Sequence, residues 1–203
     1  MKNFFILHIE ILYAVFHYPI GLPGHLKKIP GLNKHLLFSL FLISLSSAVG
    51  TYFLREYYSD SYAVTIIVST LLHIIFFLMC GFIFGALADA FVARKYSDRA
   101  GRSNQMVAIA VLSFLPWLFF LPAAFSARYV AAQTNTAVFV WMWPVVLAIM
   151  FWSLFILYVG IRYLYDLTLR DALLIQLKSV AVFMIFPFLL GVLLVQELAS
   201  LIQ

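Results

Sequence analysis

AVTIIVSTLLHIIFFLMCGFIFGALA, residues Ala63–Ala88, contains no Asp, Glu, Lys or Arg. An α-helix rises about 1.5 Å per residue, so about 20 apolar residues are enough to cross the hydrocarbon core of a bilayer. This stretch exceeds that length. It therefore predicts a membrane-spanning helix.

The rest of the chain has the same apolar character. Of its 203 residues, 65% are hydrophobic and 10% are charged, whereas soluble domains carry about 25% charged residues. The polar residues are too few to cover a soluble core of this size, so lipid must cover it. The composition excludes a water-soluble globule and predicts an all-α, polytopic integral membrane protein. The single cysteine, Cys80, excludes a disulfide framework within the chain.

Charged and turn-rich breaks divide the chain into a cytoplasmic amino-terminal segment, residues 1–35, and a membrane domain, residues 36–203. The membrane domain contains five predicted spans: Leu36–Leu54, Ala63–Ala88, Val107–Phe125, Ala137–Gly160 and Ser179–Leu198. A further apolar stretch, Phe4–Phe16, is short and interrupted by polar residues. We interpret it as an amphipathic helix in the cytoplasmic interface, with a sixth span as the alternative.

The distribution of Lys and Arg predicts the orientation, because basic loops are retained in the cytoplasm. Of the thirteen Lys and Arg residues, only Arg55 and Arg128 lie in the loops after the first and third spans. The others lie before the first span, between the second and third, or between the fourth and fifth. We therefore expect a cytoplasmic amino terminus and a carboxyl terminus outside.

Three groups of residues are candidate functional positions. His73 is the ionisable side chain at the middle of the second predicted span, where a titratable group is costly and indicates a proton relay or ligand contact. A neutral imidazole that hydrogen-bonds to Ser or Thr on another helix is the interpretation we favour. Gly81 and Gly85 have the small-xxx-small spacing that allows close helix packing, within the chain rather than in a dimer, and Asp89 continues this face.

The third group is charged and follows the predicted spans. Arg162 with Asp166, and Asp166 with Arg170, have the i,i+4 spacing at which side chains meet on a helix. We interpret them as a solvated helical extension, with contact to anionic headgroups or a partner protein as the functional alternative. The residues predicted to make such cytoplasmic contacts are Arg94, Lys95, Arg99, Arg102, Arg162, Asp166 and Arg170.

The sequence offers no catalytic set and predicts no cofactor. It has no glycine-rich phosphate loop, no zinc-ligand spacing and no serine hydrolase elbow. The basic residues are confined to loops and are too few for a nucleic-acid footprint. We therefore expect a protein that is not an enzyme and binds no metal and no nucleic acid.

Several features between Pro19 and Gln196 occur together in one family. They are Pro-rich and basic residues before the first span, a Gly-containing second span followed by a basic loop, SFLP at Ser113–Pro116, and Trp152–Gly160 followed by Arg162 and Asp171-Ala172. In this arrangement the chain resembles the YIP family, the Ypt/Rab-interacting membrane proteins and their short prokaryotic relatives. The resemblance implies five spans and a cytoplasmic amino end. Eukaryotic members carry a long polar cytosolic tail that this sequence lacks, so Rab GTPase binding is not expected.

The sequence thus predicts a short bacterial-type YIP protein in the inner (plasma) membrane. Its expected partners are the lipid bilayer and other membrane proteins or further copies of itself, and its expected function is non-catalytic, in membrane organisation or a trafficking-like process. The alternative is a small transporter or channel in which His73 and the proline-kinked helices line a path.

Overall fold

The computed structural model describes residues 4–54 and 61–202, and it describes side chains as far as Ile185. Within these ranges the regular structure is helical, without strands. The α-helices are α1 (Phe4–Phe16), α2 (Leu22–Leu26), α3 (Leu32–Leu54), α4 (Tyr62–Lys95), α5 (Ser103–Leu112), α6 (Phe120–Thr134), α7 (Val138–Leu164) and α8 (Leu169–Ile202). Short 3₁₀ helices occupy Pro19–Gly21, Ser97–Arg99 and Leu115–Phe119.

Four helical segments of the described chain are long and apolar enough to cross a membrane: Leu32–Leu54, Tyr62–Lys95, Ser103–Thr134 and Val138–Leu164. Each contains or overlaps one of the first four predicted spans. Phe4–Phe16 together with Pro19–Leu26 would make a fifth, but the chain bends by 117° between the two parts. The predicted fifth span lies within α8, and its side chains beyond Ile185 lie outside the described residues.

The third span is broken rather than continuous, and it is longer than predicted. Leu115–Phe119 forms a 3₁₀ helix with Pro116 near its start, because proline cannot donate the backbone hydrogen bond that an α-helix needs. Ser46 of α3 supports this break. Its hydroxyl lies 3.1 Å from the Trp117 carbonyl oxygen and 3.0 Å from that of Leu118, and it accepts from the Leu121 amide at 3.2 Å.

Helix α6 then continues to Thr134, beyond the predicted end of the span at Phe125. Arg128 consequently lies within a helix and not in the connecting loop where the sequence prediction placed it. The chain turns at Asn135, whose φ of 51° is left-handed, and α7 begins at Val138. A short polar side chain such as Asn tolerates this conformation at a helix end.

Helix α1 has the predicted bounds, and ring contacts near its start join it to α3. The Phe4 ring is stacked on His35 with centroids 4.4 Å apart, and His8 contacts Phe38 edge-to-face at 4.8 Å. At its other end, Phe16 contacts Phe119 of the 3₁₀ break at 5.5 Å. Helix α1 therefore contacts the bundle at both of its ends. The position of α1 relative to a membrane interface stays a prediction.

The two glycines singled out in the sequence lie where α4 meets α5. A Cβ atom on Gly81 would come within 2.6 Å of Val111 Cγ2, and one on Gly85 within 2.8 Å of the Val107 Cα and backbone nitrogen. Ala88, which follows on the same helix, is fully buried. Small side chains thus allow these two helix backbones to approach closely within one chain.

The predicted helical extension after α7 is wrong. Helix α7 ends at Leu164, and Asp166 has a left-handed φ of 51°. Arg162, Asp166 and Arg170 therefore do not form a continuous i,i+4 ladder. The physical reason is Tyr165, which is fully buried and anchors the chain where the helix would otherwise continue into water.

Candidate functional site

The ends of α4 and α7 and the start of α8 meet at one end of the bundle, together with residues 96–102. We call this region the basic end. Five of the residues predicted to make headgroup or partner contacts, Arg94, Lys95, Arg99, Arg102 and Asp166, belong to it. Its polar side chains form two linked groups, one around Asp171 and one around Asp89.

Asp171 accepts three side-chain hydrogen bonds. Lys95 Nζ lies 2.5 Å from Oδ1, the Tyr96 hydroxyl donates to Oδ2 at 2.6 Å, and the Thr168 hydroxyl donates to Oδ2 at 2.9 Å. The Asp171 side chain is 14% exposed and that of Lys95 is 58% exposed. The group ties the end of α4 to the first turn of α8, where a carboxylate also interacts favourably with the helix dipole.

The second group connects α4 to the end of α7. The Tyr165 hydroxyl donates to Asp89 Oδ1 at 2.7 Å, and the Arg102 backbone amide donates to the same oxygen at 3.2 Å. Tyr165 is fully buried, whereas Asp89 is partly exposed. A carboxylate in this position holds three segments of the chain together.

Two of the predicted contact residues cap α7. Arg102 Nη1 donates to the Leu164 carbonyl oxygen, and Arg99 Nη1 donates to those of Tyr165, at 3.4 Å, and Asp166. The last carbonyls of a helix lack intrahelical partners and carry partial negative charge, so cationic donors are favourable there. The guanidinium groups of Arg99 and Arg102 are therefore engaged within the fold.

Three hydrogen bonds hold the pKa of Asp171 well below its ordinary value of 3.8. The bond from Lys95 has the largest effect, followed by those from Tyr96 and Thr168. Burial raises the pKa of Tyr165 far above its ordinary value of 10.0, and the hydrogen bond to Asp89 acts in the same direction. Asp171 is thus an anion and Tyr165 a neutral donor at neutral pH. Neither group is poised for proton transfer.

A groove of about 540 Å³ lies between α4 and α8 beside this network. Its apolar lining comes from Phe91, Leu174 and Ile175, and its charged lining comes from Arg94, Lys95, Lys178 and Asp171. Lys95 and Asp171 neutralise one another. Arg94 and Lys178 make no ion pair with a carboxylate in the described part of the chain, so the groove carries net positive charge.

The other predicted residues lie apart from this groove. The Arg162 guanidinium lies over the ring of its neighbour Tyr163 at 5.2 Å, and Arg170 is exposed in the first turn of α8. His73 is half-buried within α4, where Nδ1 lies 2.7 Å from the Ser69 carbonyl oxygen of the same helix. No group of three or more His, Cys, Asp or Glu side chains suited to a metal ion occurs among the described residues.

Sequence reasoning left Tyr165, Asp171 and Lys178 out of the predicted contact set. Asp171 and Lys178 carried a signal, because both are charged residues at one end of an apolar span. Tyr165 carried none. In the sequence it is one of several tyrosines near a span end, and only the fold brings its hydroxyl to Asp89.

The chain was compared with protein-family models, with curated proteins and with solved structures, and no match was found in any of the three.

Proposed function

We propose that this chain is a non-catalytic integral membrane protein of the YIP type that binds anionic lipid headgroups at its basic end. The groove between α4 and α8 is the observation that carries the proposal. The sequence resemblance supports the family, and the same resemblance supports placement in a bacterial inner membrane. The basic end faces the cytoplasm in this proposal, as the distribution of Lys and Arg predicts.

The chemistry of the groove favours an anionic amphiphile. Arg94 and Lys178 supply positive charge at its edge, while Phe91, Leu174 and Ile175 supply an apolar wall. A phospholipid has this combination, with an anionic phosphate next to acyl chains. Lys and Arg near an anionic membrane surface contribute about 1 kcal/mol each to lipid binding.

The surrounding network supports a binding role rather than catalysis. Arg99 and Arg102 donate to backbone carbonyls, and Lys95 pairs with Asp171, so these groups fix the geometry of the helix ends. The contacts of Asp171 with Lys95 and Tyr96 join the end of α4 to the start of α8, the two helices that line the groove. A preorganised groove binds its ligand with less loss of conformational entropy.

The test is native mass spectrometry of the full chain released from nanodiscs of phosphatidylcholine with a minority of phosphatidylglycerol. We expect phosphatidylglycerol to be retained on the wild-type protein in preference to phosphatidylcholine. The double variant Arg94→Gln/Lys178→Gln should lose that preference by roughly thirtyfold, the equivalent of about 1 kcal/mol for each cation. Arg170→Gln, which removes an exposed cation outside the groove, is the matched control. Retention of the two lipids in proportion to their amounts in the nanodisc by the wild type contradicts the proposal.

A second candidate function is transport of a small molecule or ion. It is favoured by one observation, a cavity of about 340 Å³ beside His73. Liposomes that contain the wild-type chain would then show flux, and liposomes that contain His73→Ala would not. This result would support transport in place of lipid binding. If the wild-type chain gives no more flux than empty liposomes, transport is contradicted.

A further inference from the structure

The cavity beside His73 has polar atoms in an otherwise apolar wall. It lies among α3, α4 and the broken third span, and its apolar lining is Leu72, Phe76, Phe77, Trp117 and Phe120. His73, Ser47 and Thr51 complete the lining. At about 340 Å³ it is at the small end of the range of small-molecule pockets, about 300–1,000 Å³.

The hydrogen bond of His73 defines what its ring offers to this cavity. Nδ1 lies 2.7 Å from the Ser69 carbonyl oxygen, which can only accept, so Nδ1 carries the proton. In a neutral imidazole the other nitrogen, Nε2, then has a free lone pair and is a hydrogen-bond acceptor. The cavity wall thus contains a fixed acceptor.

Ser47 also lines the cavity. Its side chain is 3% exposed, and its hydroxyl has no hydrogen-bond partner among the described residues. The neighbouring Thr51 hydroxyl is occupied, because it donates to the Ser47 carbonyl oxygen at 2.7 Å. The Ser47 hydroxyl itself is enclosed, with almost no accessible surface, so the polar group that we assign to ligand contact is Nε2 of His73.

Helices α3 and α4 are both long and apolar enough to cross a membrane, so no bulk water is available to satisfy these groups in the hydrocarbon. An unsatisfied polar group there costs several kcal/mol. We propose that the cavity binds a hydrophobic molecule with a single hydroxyl group. The ligand hydroxyl donates to Nε2 of His73, while its hydrocarbon part contacts the aromatic side chains. This site is independent of the groove at the basic end.

The experiment uses a diazirine-bearing C12 alcohol as a photoreactive probe on the full chain in detergent micelles. Labelled peptides are mapped by mass spectrometry, and labelling is competed with 1-dodecanol or with dodecane. We expect labels on the segments around Ser47, His73 and Trp117. Dodecanol should compete at least about fivefold better than dodecane, which corresponds to one net hydrogen bond of about 1 kcal/mol.

Variants test the two polar groups separately. His73→Phe should reduce the preference for dodecanol over dodecane, and His73→Gln should restore part of it because Gln retains an acceptor. Ser47→Ala should leave the preference unchanged, because the Ser47 hydroxyl is enclosed. His17→Phe, at an exposed position outside the cavity, is the control for histidine.

Thermal unfolding of each variant shows whether it is folded before its labelling is compared. Equal competition by dodecanol and dodecane overturns the proposal, as does a preference for dodecanol that His73→Phe leaves unchanged. If water alone occupied the cavity, dodecanol and dodecane would compete equally, and this outcome would likewise overturn the proposal. The outcome does not depend on lipid retention at Arg94 and Lys178, so the two proposals can fail separately.

Discussion

The hydroxyl of Tyr165 donates a hydrogen bond to Asp89 Oδ1 at 2.7 Å and thereby joins the end of α7 to α4 across 76 positions of the sequence. The tyrosine is fully buried. The Arg102 amide donates to the same oxygen. Asp89 therefore joins α4, the end of α7 and the segment at Arg102 at the basic end.

Removal of that hydroxyl should destabilise the protein. Tyr165→Phe leaves the aromatic packing intact but removes one donor from a partly buried carboxylate, at an expected cost of about 1–3 kcal/mol. Chemical unfolding in detergent, followed by circular dichroism, measures the change. Tyr163→Phe is the matched control, because the Tyr163 side chain is exposed. Equal effects of the two substitutions would show that the hydrogen bond contributes nothing specific.

A side chain at Gly85 should separate α4 from α5. A Cβ atom there would lie 2.8 Å from the Cα and the backbone nitrogen of Val107, so the helix backbone itself must move. We expect Gly85→Ala to destabilise the protein by about 1–3 kcal/mol, as overpacked cores do. The measurement is again chemical unfolding in detergent.

Two further variants make this prediction specific. Gly24→Ala should be close to neutral, because no atom lies within 4 Å of a Cβ at that position. Val107→Ala combined with Gly85→Ala should recover part of the loss, since it removes the Val107 methyl group and leaves the backbone contact. Full recovery would mean that the side chain, not the backbone, limits the approach of the helices.

The architecture could be anticipated from composition to a large extent, because water cannot solvate helices this apolar whatever their arrangement. The first four predicted spans correspond to helical segments of the structure. The break at Pro116 also follows from chemistry that is visible in the sequence. The extension of α6 to Thr134 was missed, since small and polar residues there lower the hydropathy without ending the helix.

The basic end was less predictable because its geometry depends on long-range contacts. The spacing of Arg162, Asp166 and Arg170 favours a helix locally, yet the buried Tyr165 and the donors Arg99 and Arg102 end α7 at Leu164. Local spacing gave no information about these partners, which lie more than 60 positions away in the sequence. Charge alone also could not separate cations that cap a helix from cations that line a groove.

The carboxylate of Asp171 should make stability depend on acidity. Its pKa in the folded protein lies below the ordinary 3.8, because Lys95, Tyr96 and Thr168 donate to the ionised form. The resulting stabilisation is fully present above about pH 4 and is lost as the pH falls towards the folded-state pKa. Melting temperatures between pH 3 and pH 7 should therefore fall at the acid end of this range.

In Asp171→Asn this acid component should be absent, and the variant should be less stable than the wild type at pH 7. Asp98→Asn, at a side chain that is 77% exposed, should keep the acid dependence of the wild type. Added salt should weaken the contact with Lys95, whose side chain is 58% exposed. An acid profile that is identical in Asp171→Asn and the wild type would assign the dependence to other carboxylates.

The orientation predicted from Lys and Arg can be tested with single introduced cysteines. Asp98→Cys lies in the turn after α4, and Asn135→Cys lies in the turn between α6 and α7. A broken span, Ser103–Thr134, separates these two turns, so they should lie on opposite sides of the membrane. The native Cys80 is buried and should contribute little background labelling.

In intact cells a membrane-impermeant maleimide should react with Asn135→Cys, and it should react with Asp98→Cys only after the cells are lysed. Reaction of both cysteines in intact cells would mean that the third span does not cross the membrane. Reaction of Asp98→Cys alone would invert the orientation and place the groove of Arg94 and Lys178 outside the cell.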